Sequence, residues 1–163
     1  MIYSKIISTG AYVPQRVVKN DELSKMVETN DEWITSRTGI KQRRISSGEK
    51  TYQMAAKAAK EAIENAGIEK EEIDMIILAT ISPDFFMPST ANLVQAELGL
   101  DDIPSFDITA GCTGFVYGLQ VADQFIKSRQ SKTILLIGVE VLSKVIDWSD
   151  RNTCVLFGDG AGA

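Results

Sequence analysis

Phe106-Asp107-Ile108-Thr109-Ala110-Gly111-Cys112-Thr113-Gly114-Phe115-Val116-Tyr117-Gly118-Leu119 reads as a short buried strand ending in a cysteine that opens a helix. Ala110 and Gly111 are small enough for a sharp bend, and Gly114 leaves open space one turn into the helix. Cys112 then stands at the helix's positive end, where orphan amides and the dipole favour an anion, so thiolate character is expected. Such a thiolate can attack a thioester. The same pattern also fits a small buried hydrophobe, the commoner use of a lone cysteine. Phe115, Val116, Tyr117 and Leu119 make the helix apolar on nearly every face, which predicts burial. Gly114 and Gly118, four apart, form a stripe expected to let a second central helix approach closely.

Outward from this stretch, strands and helices alternate. Ile73 to Ile81 is an almost unbroken apolar run, the mark of a strand covered on both faces, and Pro83 closes it. Lys132 to Val139 reads as another such strand. Between the first of these strands and Phe106, a helix starts near Pro88, runs through Leu93, Val94, Ala96 and Leu98, and stops at Gly99. Upstream lies the clearest amphipathic helix, capped by Thr51, with Ala55, Ala59, Ala62 and Ile63 on one face and Lys57, Lys60 and Glu64 opposite, ended by Gly67.

At the N-terminus, Ile2 to Pro14 reads as a buried strand with Gly10 as a bend. Asn20 is placed to cap a short helix through Leu23, Met26 and Val27, and Asn30 or Asp31 a second one, Glu32 to Thr38. Near the other end, Cys154 to Phe157 reads as a short strand. Gly158-Asp159-Gly160-Ala161-Gly162-Ala163 imitates a phosphate loop, but it lacks the Lys-Ser/Thr of a P-loop and no helix follows it. The alternation predicts an α/β layered fold.

Composition narrows the function. The chain has 163 residues, a net charge of -5 and no run of 18 apolar residues, which argues against nucleic-acid and membrane partners and for a cytoplasmic place. Cys112 and Cys154, far apart and in no CxxC pattern, read as free thiols. The absence of histidine excludes a Ser-His-Asp or Cys-His pair made within this chain, and no metal site is expected.

One basic cluster stands out in this acidic chain: Arg37, Lys41, Arg43 and Arg44, with Trp33 one turn before Arg37. It fits a solvated charged loop with Trp33 as a core plug. The sharper alternative is a nucleotide site, where an indole or guanidinium stacks on a base and cations meet phosphates.

Taken together, the chain resembles the N-terminal half of the β-ketoacyl-acyl carrier protein synthase III family, the condensing enzymes that initiate type II fatty-acid synthesis. The resemblance rests on Lys5-Ile6-Ile7-Ser8-Thr9-Gly10, Asp31-Glu32-Trp33-Ile34 with Arg37-Thr38-Gly39-Ile40, the Cys112 segment, and Phe157 to Ala163. It implies a thiolase-like fold, in which residues 1–163 form the N-terminal half of a layered αβαβα arrangement with a mixed sheet and a buried central helix. It implies that Cys112 is the acyl-accepting nucleophile, that Trp33, Arg37, Arg151 and Thr29 hold the nucleotide end of CoA, and that Leu142 and Phe157 wall the acyl pocket. Met87 matches the position that reaches into the partner subunit's pocket of the family's homodimer. The expected substrates are acyl-CoA and malonyl-acyl carrier protein, with no cofactor beyond the CoA thioester that is itself a substrate. Cys154 is expected to be structural. The family's catalytic His and Asn belong to a C-terminal half absent from this chain, so the 163 residues alone are expected to be inactive. A related condensing enzyme of polyketide or ketone synthesis, and a non-catalytic half-fold serving assembly or binding, are the alternatives.

Overall fold

A computed structural model describes residues 2–163. In chain order its elements are β1 (Ala11–Tyr12), β2 (Val17–Lys19), α1 (Asn20–Leu23), α2 (Asp31–Thr38), β3 (Gln42–Arg44), α3 (Thr51–Ala66), β4 (Met75–Ala79), α4 (Thr90–Leu98), β5 (Ser105–Ile108), α5 (Gly114–Lys127), β6 (Ile134–Val141), α6 (Arg151–Cys154) and β7 (Asp159–Gly162). The apolar β4, buried at every position, lies between β6 and the edge strand β5 in a five-stranded sheet of order β1-β7-β6-β4-β5. Its neighbours β5 and β6 run parallel to it, while β7 pairs antiparallel with both β6 and β1. The sheet is therefore mixed, as expected, with helices as the crossovers between its parallel strands.

Alternation along β6 assigns the two faces. Leu135, Ile137, Val139 and Val141 join Ile76, Leu78 and the alanines of α3 in the main core, which α4 completes. Ile134 and Leu136 point the other way, into a smaller cluster with Ile77, Ala122 and Phe125 under α5. Asp107 links the layers: its carboxylate accepts the Thr90 and Ala91 N–H groups at 2.7 Å each, capping α4 from β5. A second small core of Val18, Leu23, Ile34, Ile45, Cys154 and Val155 sits under the β2–β3 ribbon.

Several local readings change. Only Ala11–Tyr12 of the expected N-terminal strand is a strand. Gly10 exchanges two backbone hydrogen bonds with Ala163, but Ile6 and Ile7 are 71% and 50% exposed, because no strand among the described residues lies beside them. Gly10 is required by contact rather than by bending: a Cβ there would fall 2.3 Å from the Ala58 carbonyl oxygen of α3. Asn20 does not cap α1; Lys19 is the N-cap, and the buried Asn20 amide donates instead to Asp31 and to the Ile40 carbonyl. Asn30 does cap α2, accepting the Trp33 N–H at 2.7 Å. Thr51 is the first residue of α3 rather than its cap, and its hydroxyl donates to the Ser82 carbonyl.

Two corrections concern the last third of the chain. Cys154 lies in the short helix α6, not in a strand; Asp150 caps that helix by accepting the Asn152 N–H. The strand is the Gly/Ala stretch that imitated a phosphate loop, held in extended form by ladders on both sides. The central helix α5 also differs from expectation, since Gly114, Gly118 and Ala122 are its only buried residues. Its glycine stripe meets the sheet, not another helix: a Cβ on Gly114 would meet Ala79, and one on Gly118 would meet Leu136. Phe115, Val116, Tyr117 and Leu119 remain 38–54% exposed. No helix among the described residues is long and apolar enough to cross a membrane.

Candidate active site

Parallel strands deliver the thiol to the sheet's carboxyl edge, where β5 ends and the chain turns into α5. Gly111 takes φ +56, a left-handed conformation that glycine adopts without strain, and residues 111–113 form one 3-10 turn ahead of the helix. The Thr113 hydroxyl donates to the Ala110 carbonyl at 2.9 Å and pins this turn. Cys112 is exposed, and no side chain caps the start of α5 or places a carboxylate in its first turn. The Gly114 N–H bonds back to the Gly111 carbonyl, and no side-chain acceptor or acidic group of the first turn competes for an anion beside the sulfur.

The thiol opens into a cavity of about 300 Å³ whose walls are Ala79 and Ile81 from the end of β4, Phe115 from α5, Gly138, Val139, Glu140 and Leu142 from β6 and beyond, and Gly160 to Gly162 from β7. The glycines make this space possible. A Cβ on Gly138 would meet the Phe115 ring at 3.2 Å, so the bare backbone there makes room for the aromatic wall. The lining is apolar except for Glu140, whose carboxylate accepts the Ile81 N–H at 2.9 Å and the Ser82 hydroxyl at 2.5 Å.

A second cluster assembles around Trp33. The guanidiniums of Arg37 and Arg151 lie over its indole, 4.5 and 4.7 Å from the ring centroid. Arg151 also donates to the Glu28 carbonyl at 3.1 Å, next to Thr29, whose buried hydroxyl has no hydrogen-bond partner. Trp33, Arg37, Arg151 and Thr29, separated by up to 122 positions in the chain, are thereby brought to one place. Arg151 follows Leu142 by nine positions, so the two clusters stand within roughly 30 Å of each other along the chain. An aromatic plane and two cations suit a purine nucleotide carrying phosphates.

The remaining candidates divide. Leu142 lines the cavity, whereas Phe157 (36% exposed) and Met87 (87% exposed) are not among its lining residues. Half of the basic cluster is structural: Arg43 is buried and donates to the carbonyls of Val18 and Val155 and to Asn20, while Arg44 donates to the carbonyls of Pro14 and Gln15. Burial pushes the Cys154 thiol up, Asp150 adds to this and Arg43 opposes it, which suits an inert core residue. No group of three or more His, Cys, Asp or Glu that could hold a metal occurs among the described residues. Sequence reading missed Ile81, Phe115, Glu140 and Gly160 to Gly162 as cavity walls. The signal for Glu140 was there, since period-two alternation puts it on the face of Gly138 and Leu136.

Residues 106–163 match the family described as 3-Oxoacyl-[acyl-carrier-protein (ACP)] synthase III. A curated β-ketoacyl-acyl carrier protein synthase III from Clostridium acetobutylicum is 57% identical over 159 residues, covering 98% of this chain and 49% of that protein. The crystal structure of the 3-oxoacyl-acyl carrier protein synthase III from Aquifex aeolicus superposes with a TM-score of 0.95 at 56% identity, over 97% of this chain and 51% of that one. The priming β-ketosynthase of the R1128 polyketide pathway gives the same TM-score at 36% identity, over 98% and 48%. The chain thus spans about half the length of the curated relatives it matches.

Proposed function

From the chain's place in the β-ketoacyl-acyl carrier protein synthase III family, we propose that it carries the nucleophile half of a decarboxylating condensation that starts fatty-acid chains. One observation carries this reading: an exposed cysteine at an uncapped helix start, opening into a largely apolar cavity.

The Trp33, Arg37, Arg151 and Thr29 cluster holds the adenine nucleotide of an acyl-CoA. The Cys112 sulfur attacks the thioester carbonyl, the Cys112 N–H steadies the oxygen as it gains charge, and the CoA thiolate leaves with the acyl group now on Cys112. The acyl chain occupies the cavity beside Leu142. In the second half-reaction malonyl-acyl carrier protein loses carbon dioxide, and the resulting carbanion attacks the Cys112 thioester to give 3-oxoacyl-acyl carrier protein and the free cysteine. This chain contains no histidine to stabilise that carbanion. A His and an Asn from the remainder of the enzyme do so. The exposed apolar side of α5 and the segment around Ile6 and Ile7 are the surface that this remainder covers.

No separate cofactor takes part, because the CoA thioester supplies the activated acyl group. The enzyme works in the cytoplasm as a homodimer, with Met87 of each protomer directed to its partner's pocket. The 57% and 56% identity to the Clostridium acetobutylicum and Aquifex aeolicus synthase III proteins, against 36% to the polyketide priming enzyme, favours fatty-acid initiation. Steady-state rates of the complete enzyme with acyl-CoAs of increasing length test that choice. A clear optimum at short acyl groups with malonyl-acyl carrier protein as acceptor supports it, and no product with this acceptor refutes it.

A further inference from the structure

Among the residues lining the Cys112 cavity Glu140 is the only one with an acidic or basic side chain, and its carboxylate points at backbone and hydroxyl donors of one segment. It accepts the Ile81 N–H at 2.9 Å, the Ser82 hydroxyl at 2.5 Å and the Thr80 hydroxyl at 3.4 Å. All three donors belong to the chain as it leaves β4, and Ile81 is itself a cavity wall. The Ser82 oxygen in turn accepts the Val141 N–H at 2.8 Å, immediately before Leu142, another wall. One carboxylate therefore ties two wall segments of the cavity, one directly and one through a buried serine.

Resting on the reading of Cys112 as the acyl acceptor, we propose that Glu140 is a positioning residue that sets which acyl chains the cavity admits, by clamping the 80–82 segment to the end of β6. The carboxylate does no proton transfer in this role. Its value lies in offering two acceptor oxygens to donors that include the hydroxyls of the buried Thr80 and Ser82. Ser82 is 3% exposed, so water does not replace the link readily. A separate tie, Lys144 to Asp84 at 2.6 Å, holds the same segment to the turn after β6, so loss of the clamp loosens the walls without freeing the loop.

The test uses the complete enzyme and reads the cavity without CoA. Cys112 is alkylated with iodoacetamide and with N-alkyl iodoacetamides of increasing chain length, and the rate at Cys112 is followed by peptide mass mapping. In the unaltered enzyme the rate falls once the alkyl group outgrows the cavity. Glu140→Ala relaxes that cut-off, raising the rate of the longest reagent relative to iodoacetamide by about tenfold, the low end of what a pocket discriminates for one methylene. Ser82→Ala, which removes the link without altering any lining residue, shifts the profile in the same direction. Glu140→Gln keeps shape and one acceptor and stays close to the unaltered profile. A shift in Glu140→Ala with none in Ser82→Ala makes Glu140 only a space-filling wall and overturns the clamp, as do unchanged profiles in both. Acyl-CoA rates of the same variants should follow the alkylation profile. Absence of acylation in the unaltered enzyme counts against the acyl-acceptor reading alone, since the alkylation profile stands without it.

Discussion

The two faces of the central sheet obey the same alternation yet end in different states. On the side of α3 and α4, Ile76, Leu78, Ile137 and Ala55, Ala58 and Ala59 of α3 are fully buried, so that face is a finished core. On the side of α5 only Gly114, Gly118 and Ala122 of the helix are buried, while Phe115, Val116, Tyr117 and Leu119 are 38–54% exposed. The first face stabilises the chain. The second carries the exposed Cys112 and leaves apolar side chains of α5 uncovered.

Substitutions on the two faces should therefore differ most in stability. Ile76→Ala on the finished face should cost this chain about 2–5 kcal/mol, the usual loss for emptying a packed isoleucine site. Leu119→Ala on the open face should cost under about 1 kcal/mol, as surface substitutions do. Urea unfolding of both variants checks the contrast, and equal losses would break it. A smaller effect is expected where α5 touches the sheet. Gly118→Ala puts a Cβ 2.5 Å from Leu136 Cδ1, which must move, for a loss of about 1–3 kcal/mol by overpacking.

At the Trp33 cluster the expected effect is on binding. Trp33→Ala removes the plane on which both guanidiniums rest and should raise KM for acyl-CoA about tenfold, the scale of a lost stacking partner worth 1–2 kcal/mol, with kcat little changed. Steady-state kinetics of the complete enzyme measure this, and a fall in kcat at constant KM would place Trp33 elsewhere in the cycle.

The smallest effect concerns pH. Burial works against ionisation of Asp84, but the Lys144 ammonium and the Tyr52 and Thr51 N–H groups outweigh it and hold the carboxyl below its ordinary value. A carboxyl lowered on folding adds stability above the unfolded value of about 3.9, and this is lost as pH falls through the lower folded value. Asp84→Asn should flatten the stability curve over that acidic range and leave its shape near neutrality unchanged, as read from urea midpoints between pH 5 and pH 2.

The same contrast explains what the sequence could tell. The run through Ile73 to Ile81 and the alanine face of α3 were legible because burial on both faces, or on one, leaves a direct periodic trace. The turn at Gly111 was legible because small residues before a cysteine have few other uses. β7 was not, because Gly158 to Gly162 has no strand pattern of its own and is extended only by pairing with β6 and β1. The N-terminal apolar segment misled in the opposite sense: its pattern is that of a strand, but among the described residues it has no neighbour to pair with beyond Gly10 to Tyr12. Of the cations, Trp33's partners were readable from spacing only in part. Arg37 is one turn away, whereas Arg151 arrives through the fold, and Arg43 and Arg44 are taken up by carbonyls that no sequence rule announces.

The account depends most on the sulfur of Cys112, and incubation of the complete enzyme with acetyl-CoA followed by intact-mass measurement tests it most directly. One acetyl group per chain should appear, map to the peptide containing Cys112, and vanish in Cys112→Ala. No adduct, or an adduct that persists in Cys112→Ala, would contradict it.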